Sequence, residues 1–275
     1  MVDNLQPGHP VRPPDPRGPR IREIPLRMVL PNLVTVLAIC AGLTGIRLAF
    51  EGRIELAVAM VLLAAFLDGL DGRVARALKA TSRFGAEMDS LADIVNFGVA
   101  PGLVLYAYLL DGAGDPGWIA ALLFAIACGL RLARFNVMSH DPERDNWRSG
   151  FFTGVPAPAG AMLVLLPAYL GFLGFQQGPG FAWFSTIFTV LVAFLLVSRI
   201  PIWSGKNMGR IRSDLMLPLM LVIVLYVLLL INYPWHTMTV TALGYLAFIP
   251  LSWIAYRRRE RAEEADLPEQ EPASD

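Results

Sequence analysis

Charged residues are scarce in this sequence. Only 17% of its 275 residues are Asp, Glu, Lys or Arg, whereas a soluble domain carries about 25%, and the mean hydropathy is +0.51. The formal net charge is zero, so no bulk charge attracts nucleic acid and we expect no nucleic-acid partner. The composition excludes an ordinary soluble domain and predicts an integral membrane protein.

Cysteine and histidine are also nearly absent. Cys40 and Cys128 each lie inside an apolar run, without the spacing of a zinc site or a disulfide framework. We therefore expect two small buried side chains. None of the three histidines, His9, His140 and His236, is a good catalytic candidate, because they fall in the N-terminal tail and in two predicted loops.

Long apolar runs, in contrast, recur along most of the chain. A membrane-spanning helix needs about 20 mostly apolar residues. We therefore predict an all-α fold, a polytopic transmembrane helical bundle of about eight spans. The predicted spans are Met28–Phe50, Glu55–Leu78, Leu91–Leu110, Trp118–Met138, Ala157–Phe175, Trp183–Ile200, Leu215–Ile231 and Thr237–Tyr256.

Two polar ends flank this predicted transmembrane domain, which covers residues 26–256. Residues 1–25 are rich in proline and arginine and lack the apolar segment of a cleavable signal peptide, so we expect a disordered tail. Residues 257–275 form a second, charged tail, with disorder expected in its final "RAEEADLPEQEPASD". All but Arg47 and Arg53 of the 23 basic residues fall on one side of the predicted spans. The positive-inside rule then places both termini in the cytoplasm.

Four aspartates stand at the ends of two apolar runs, where a carboxylate near the bilayer centre costs about 2.5–3.5 kcal/mol. Asp68 and Asp71 are three residues apart, and Asp89 and Asp93 are four apart, so each pair shares one helix face. The basic segment "RALKATSRF" between the pairs is typical of a cytoplasmic turn. An antiparallel helix pair would bring all four carboxylates to one place near the cytoplasmic boundary.

Carboxylates this close need compensation, since like charges disfavour ionisation of their neighbours. Hard oxygen ligands select Mg²⁺, Mn²⁺ or Ca²⁺. Four carboxylates can hold two such ions about 3.5–4 Å apart, the arrangement of phosphoryl-transfer catalysts. The nearby glycines Gly69, Gly72 and Gly85 indicate close approach of a ligand or of backbone, and Arg76 supplies positive charge for phosphate. Two alternatives stay open, simple pairing of the acids with arginines and a cation or proton pathway.

The segment from Asp68 to Asp93, "DGLDGRVARALKATSRFGAEMDSLAD", resembles the signature of the CDP-alcohol phosphotransferase family. The resemblance implies an enzyme that cleaves the pyrophosphate of a CDP-linked alcohol, passes the phosphoryl-alcohol group to an acceptor hydroxyl and releases CMP. It implies two divalent cations, Mg²⁺ or Mn²⁺. The residues that match the metal ligands are Asp68, Asp71, Asp89 and Asp93.

The resemblance also implies roles for individual residues. Asp93 matches the proposed general base. The residues that match the CDP-lipid-binding part are Gly72, Arg76, Ser82 and Gly85, and the segment "PNLVT" adds Asn32 and Thr35. Similar enzymes are often homodimers, so a homodimer stays open, and the branch of the family suggests a bacterial inner membrane with the site at its cytoplasmic face.

Three further stretches resemble the phosphatidylserine synthase branch of that family, namely "DSLADIVNFGVAPGLVLY", "CGLRLARFNV" and "FTGVPAPAGA". The reaction implied is CDP-diacylglycerol plus L-serine giving phosphatidylserine and CMP. An arginine fork suits the serine carboxylate, and Arg131 and Arg134 are the candidates, with positive-inside anchoring as their alternative. Glycerol 3-phosphate, inositol phosphate and choline remain alternative acceptors, and Lys206, Arg210 and Arg212 would suit a phosphorylated one.

Overall fold

The computed structural model describes residues 26–139, 151–203 and 215–266. Within these ranges the chain is mostly helical, and one pair of three-residue strands forms the described sheet, which confirms the all-α prediction. The helices are α1 (Leu26–Phe50), α2 (Ile54–Ala77), α3 (Arg83–Asp93), α4 (Ala100–Tyr108), α5 (Asp115–Ser139), α6 (Ala157–Val164), α7 (Leu166–Phe172), α8 (Pro179–Val197), α9 (Met216–Asn232) and α10 (Pro234–Asp266). A π turn (Ile94–Val99), a 3₁₀ turn (Leu110–Ala113) and the strands β1 (Phe151–Thr153) and β2 (Pro201–Trp203) complete the described elements.

Several of these helices are suited to cross a membrane. Among the described residues, five are long and apolar enough by length and composition. They are Val29–Phe50, Arg83–Tyr108, Asp115–Met138, Pro179–Val197 and Pro234–Arg258. The segments Ala157–Phe172 and Met216–Asn232 are apolar but shorter. This confirms an integral membrane protein, whereas the count of eight spans and the orientation stay predictions.

The predicted second and third spans form the part of the fold that carries the acids. Helix α2 is rich in charge at its C-terminal end, which holds Asp68, Asp71, Arg73 and Arg76. The third span begins earlier than predicted, because α3 starts at Arg83 and runs through the π turn into α4 without a break. The acids of α3 therefore stand on a continuous helix that leads from the turn into the bilayer.

The predicted fifth span is divided in two. Helix α6 ends at Val164 and α7 begins at Leu166. Pro167 lies in the first turn of α7, where its missing N–H and fixed φ are tolerated, whereas it would break the interior of one long helix. Sequence hydropathy alone does not register this break.

Small residues let the inner helices pack closely around buried aromatic side chains such as Phe97, Phe124 and Tyr169. A Cβ atom added at Gly98 in the π turn would lie 3.1 Å from the Cβ of Cys128 on α5. Cys128 is buried as predicted, but the same prediction is wrong for Cys40, which is exposed on α1. The lipid-facing side of a spanning helix is as apolar as its core-facing side, so the sequence does not distinguish the two.

The strands β1 and β2 pair antiparallel, with Phe152 opposite Ile202. Helix α10 is fixed to this pair, because the hydroxyl of Ser252 donates a 3.0 Å hydrogen bond to the carbonyl oxygen of Pro201. The described part of α10 continues past Tyr256 to Asp266, since Arg, Glu and Ala are strong helix formers. The first residues of the segment predicted to be disordered, from Arg261 to Asp266, therefore belong to α10. The predicted N-terminal tail lies outside the described residues.

Candidate active site

A tight turn between α2 and α3 brings the two acidic segments together. Helix α2 ends at Ala77, and Lys79 adopts a left-handed backbone conformation with φ of 50°. Ser82 then caps α3, because its Oγ accepts a 3.0 Å hydrogen bond from the backbone N–H of Gly85. The chain reverses within this short segment, so the end of α2 faces the start of α3.

Three of the four predicted carboxylates form a compact cluster. Asp68, Asp71 and Asp89 each place one carboxylate oxygen within 4.8 Å of the others. Asp71 is only 3% exposed, and the charges of Asp71 and Asp89 act unfavourably on that of Asp68. Oδ1 of Asp68 is buried and has no hydrogen-bond partner within the described ranges. An unpaired buried carboxylate oxygen beside two further carboxylates fits a hard divalent cation.

Asp93 lies beside this cluster, one helical turn beyond Asp89. It is partly buried, and Asp68, Asp89 and Asp71 all interact with it electrostatically. The structure therefore brings the fourth acid to the same place, although its oxygens do not belong to the compact group of three.

A cavity of about 230 Å³ opens next to the cluster. Asp71 and Asp89 contribute to its wall, so the cavity and the acidic cluster are continuous. All six residues predicted to bind the CDP-lipid also line it: Asn32, Thr35, Gly72, Arg76, Ser82 and Gly85. Arg76 is exposed and makes no ion pair in the described part of the chain, so its charge is available to a ligand.

The absence of a side chain at Gly85 allows α1 and α3 to approach each other here. A Cβ atom at this position would lie 3.0 Å from Oδ1 of Asn32 and 3.1 Å from Oγ of Ser82. Both contacts are tighter than ordinary van der Waals packing. The sequence indicated that Gly85 permits a close approach, and the structure identifies the groups that approach.

Thr35 makes a contact with the acidic cluster that the sequence did not reveal. Its Oγ1 donates a 2.6 Å hydrogen bond to Oδ2 of Asp71, so it orients a carboxylate of the cluster as well as lining the cavity. Asp71 also accepts a hydrogen bond of 2.5 Å from the backbone N–H of Gly72 at its other oxygen, Oδ1. Both oxygens of Asp71 are thus held in place before any ligand binds.

The two predicted acceptor arginines differ in their surroundings. Arg134 donates a 2.9 Å hydrogen bond from Nη1 to the carbonyl oxygen of Val197, which ties α5 to the end of α8. Arg131 is 8% exposed, and its Nε has no partner among the described residues. Its guanidinium group lies 5.9 Å from the ring centre of Phe135 and interacts with Asp93. Of the two arginines, Arg131 is therefore the one with an observed interaction with an acid of the site.

The sequence reasoning missed Asn96, which is completely buried in the π turn. It faces Asp68, yet neither polar atom of its side chain has a well-formed hydrogen bond within the described ranges. A Cβ atom at Gly42 would lie 2.7 Å from Oδ1 of Asn96, so α1 closes over this amide. An Asn inside the apolar run "IVNFGV" was the available signal.

The remaining candidates, Lys206, Arg210 and Arg212, lie outside the described residues. The fold and the site together define a helical integral membrane protein with an acidic cluster beside a polar cavity. That combination is suited to a metal-assisted reaction of a phosphate-bearing substrate.

Comparison with known proteins identifies the family. The model of the CDP-alcohol phosphatidyltransferase family matches residues 28–197, more than half of the chain, and a second model, CDP-alcohol phosphatidyltransferase 2, matches residues 214–250. The chain belongs to the CDP-alcohol phosphatidyltransferase family, as the motif predicted. Family membership and the acidic cluster are consistent with the use of a divalent metal.

Several relatives carry the name CDP-diacylglycerol–serine O-phosphatidyltransferase. The chain is 50% identical to the Mycobacterium leprae protein over 186 residues, which are 66% of this chain and 61% of that relative. It is 40% identical to the Mycobacterium tuberculosis protein over 250 residues, 87% of this chain and 84% of the relative. The Helicobacter pylori protein is 34% identical over 227 residues, 82% of this chain and 91% of the relative.

Proposed function

We propose that the protein transfers the phosphatidyl group of CDP-diacylglycerol to L-serine, giving phosphatidylserine and CMP. The observation that carries this proposal is the cluster of Asp68, Asp71 and Asp89 at the wall of a cavity lined by all six residues expected to bind the CDP-lipid. The names of the relatives support serine as the acceptor.

The cavity binds the nucleotide end of the substrate. Arg76 provides a positive charge for phosphate oxygens, and Gly72 and Gly85 let the ligand and α1 come close to the α2–α3 turn. Asn32, Thr35 and Ser82 supply side-chain polar atoms along the same wall. The acyl chains extend into the bilayer, since the neighbouring helices expose apolar side chains there.

Asp68, Asp71 and Asp89 would hold divalent cations, with Asp93 as a further ligand of a second ion. When bound, Mg²⁺ or Mn²⁺ would neutralise the pyrophosphate and stabilise negative charge on the departing CMP oxygen. Thr35 and the backbone N–H of Gly72 keep Asp71 oriented for this task, as partners of a ligand commonly do.

Asp93 acts as the general base. It takes the proton of the serine hydroxyl while the hydroxyl oxygen forms a bond to the phosphorus that carries diacylglycerol. The bond from that phosphorus to the pyrophosphate bridge oxygen breaks, and CMP leaves with the bridging oxygen. The proton transfer requires Asp93 to lie about 2.6–3.2 Å from the attacking hydroxyl.

Serine needs a cation for its carboxylate, and Arg131 fits this role because it is buried, has an unpaired Nε and interacts with Asp93. Arg134 contributes with the guanidinium donors that remain after its bond to Val197. The distribution of basic residues supports a site at the cytoplasmic face, and the branch of the family supports a bacterial inner membrane. A homodimer stays a prediction, which molecular mass in nanodiscs would test.

One assay tests the function directly. Purified protein in detergent, supplied with Mn²⁺ or Mg²⁺, CDP-diacylglycerol and labelled serine, should release CMP and form phosphatidylserine. EDTA should abolish both products, and added metal should restore them. Product with glycerol 3-phosphate, inositol phosphate or choline, and none with serine, would contradict the acceptor, whereas cation or proton flux without CMP release would favour a transporter.

A further inference from the structure

The inward face of α10 carries a tyrosine that the proposed reaction does not yet use. Met238, Ala242, Ile249 and Ser252 are all buried, and their spacing follows one face of a helix. Tyr245 lies on this face, midway between Ala242 and Ile249. The bond from Ser252 to Pro201 fixes the face against the protein, so Tyr245 is directed inward and not towards lipid.

The phenol of Tyr245 and the guanidinium group of Arg131 form an interacting pair inside the protein. The two side chains interact electrostatically, and Arg131 in turn interacts with Asp93. The hydroxyl of Tyr245 and Nε of Arg131 are both buried, and neither has a hydrogen-bond partner among the residues that the structure describes. Leaving a buried polar group unpaired is unfavourable, and a ligand that pairs both groups would offset that cost.

The chemistry of the pair defines the ligand group that it can take. A phenol beside a guanidinium turns its oxygen towards the positive charge, so its O–H is free to donate in another direction. Nε–H of Arg131 is also a donor. Two buried donors on interacting side chains, one of them charged, are suited to an anionic acceptor such as a carboxylate.

We propose that Tyr245 is a specificity-determining residue of the acceptor site, where its hydroxyl donates a hydrogen bond to the same serine carboxylate that Arg131 binds. This inference rests on the proposed function. The proposed acceptor site then includes a residue of α10, whereas the acids and the cavity lining belong to the first 93 residues of the chain. It also explains how an acceptor with a carboxylate is distinguished from an alcohol without one.

Tyr245→Phe tests the proposal, because it removes the hydroxyl and keeps the ring. We expect the KM for serine to rise roughly tenfold, the effect of losing one hydrogen bond to a charged group, while the KM for CDP-diacylglycerol stays unchanged. With serinol, which lacks the carboxylate, the wild-type protein and the variant should react equally. Tyr169→Phe is the matched control, since the Tyr169 hydroxyl is also buried and unpaired within the described ranges. The ring of Tyr169 stacks on Trp235, and its side chain shows no interaction with Arg131.

The outcomes separate this inference from the proposed function. A wild-type protein that uses serine, together with a Tyr245→Phe variant of unchanged serine KM, would overturn the role of Tyr245 alone. Equal losses with serine and serinol, or equal rises in both KM values, would show a purely structural role. A wild-type protein that makes no phosphatidylserine would overturn the proposed function and the inference with it.

Discussion

Thr35 connects α1 to the acidic cluster through its 2.6 Å hydrogen bond to Asp71. Thr35→Val keeps the shape and removes the donor, so Asp71 loses a partner that orients it. We expect the metal concentration for half-maximal activity to rise about 10–100-fold, the usual effect of removing a partner of a metal ligand. Titration of CMP release with Mn²⁺ measures it. Thr35→Ser, which keeps the hydroxyl, should behave nearly as the wild type, and an equal effect of both substitutions would contradict the orienting role.

The proposed mechanism gives Asp93 the role of general base in addition to that of a ligand of the second ion, whereas Asp68, Asp71 and Asp89 serve as metal ligands only. Asp93→Asn keeps the size of the side chain and removes the base, so we expect the turnover rate to fall at least about 100-fold. Some metal and nucleotide binding should remain, because Asp68, Asp71 and Asp89 are unchanged. Single-turnover CMP release and CDP-diacylglycerol binding measure the two properties. Glu87→Gln is the control, because Glu87 is an exposed acid of the same helix. Full activity of the Asp93→Asn variant would show that Asp93 is not the general base.

At the scale of elements, local sequence signals sufficed for the helices and for the acidic hairpin. Apolar runs located most of the helices to within a few residues, but they missed the early start of α3, the division between α6 and α7, and the extension of α10. The spacing of the acids placed Asp68, Asp71 and Asp89 together, as the structure finds. The cap that Ser82 provides for α3 is local as well, because its partner Gly85 is only three residues away. These features depend on neighbours within a turn or two, which a single sequence contains.

Contacts between distant elements could not be predicted in this way. The hydrogen bond from Thr35 to Asp71 and the electrostatic interaction of Arg131 with Tyr245 depend on how α1, α2, α5 and α10 pack. The different surroundings of Arg131 and Arg134 likewise depend on the end of α8. Hydropathy indicates that a helix is apolar, but it does not indicate which side faces lipid, and Cys40 shows the resulting error.

The packing of α1 on α2 depends on Gly45. A Cβ atom there would lie 2.9 Å from the backbone oxygen of Ala57 and 3.2 Å from Cγ2 of Val61, and backbone cannot move aside cheaply. We expect Gly45→Ala to destabilise the protein by about 1–3 kcal/mol, seen as a lower apparent melting temperature in detergent. Gly244→Ala on α10 is the control, since a Cβ atom there meets nothing within 4 Å. Alanine otherwise favours a helix, so an unchanged Gly45→Ala variant would contradict the close packing.

At the scale of the whole molecule, the orientation in the membrane decides whether the site can meet its nucleotide substrate. The turn that joins α2 to α3 holds Lys79 and leads to Arg83 and the acidic cluster, so we expect the cluster to lie on the same side as most basic residues. The loop between α7 and α8 has none of them and should lie on the opposite side. If the predicted orientation is correct, the acidic cluster faces the cytoplasm and can meet the nucleotide of a CDP-diacylglycerol molecule in the inner leaflet.

Cysteine labelling tests that orientation. In a background with Cys40→Ala and Cys128→Ala, we expect Gln176→Cys in the α7–α8 loop to react with a membrane-impermeant maleimide in intact cells. Glu87→Cys on α3 should react only after the cells are permeabilised, although both positions are exposed in the structure. Each variant serves as the control for the other, because permeabilised cells must label both. Labelling of Glu87→Cys in intact cells would place the acidic cluster at the outer face, where a nucleotide-bearing lipid made inside the cell could not reach it without crossing the membrane.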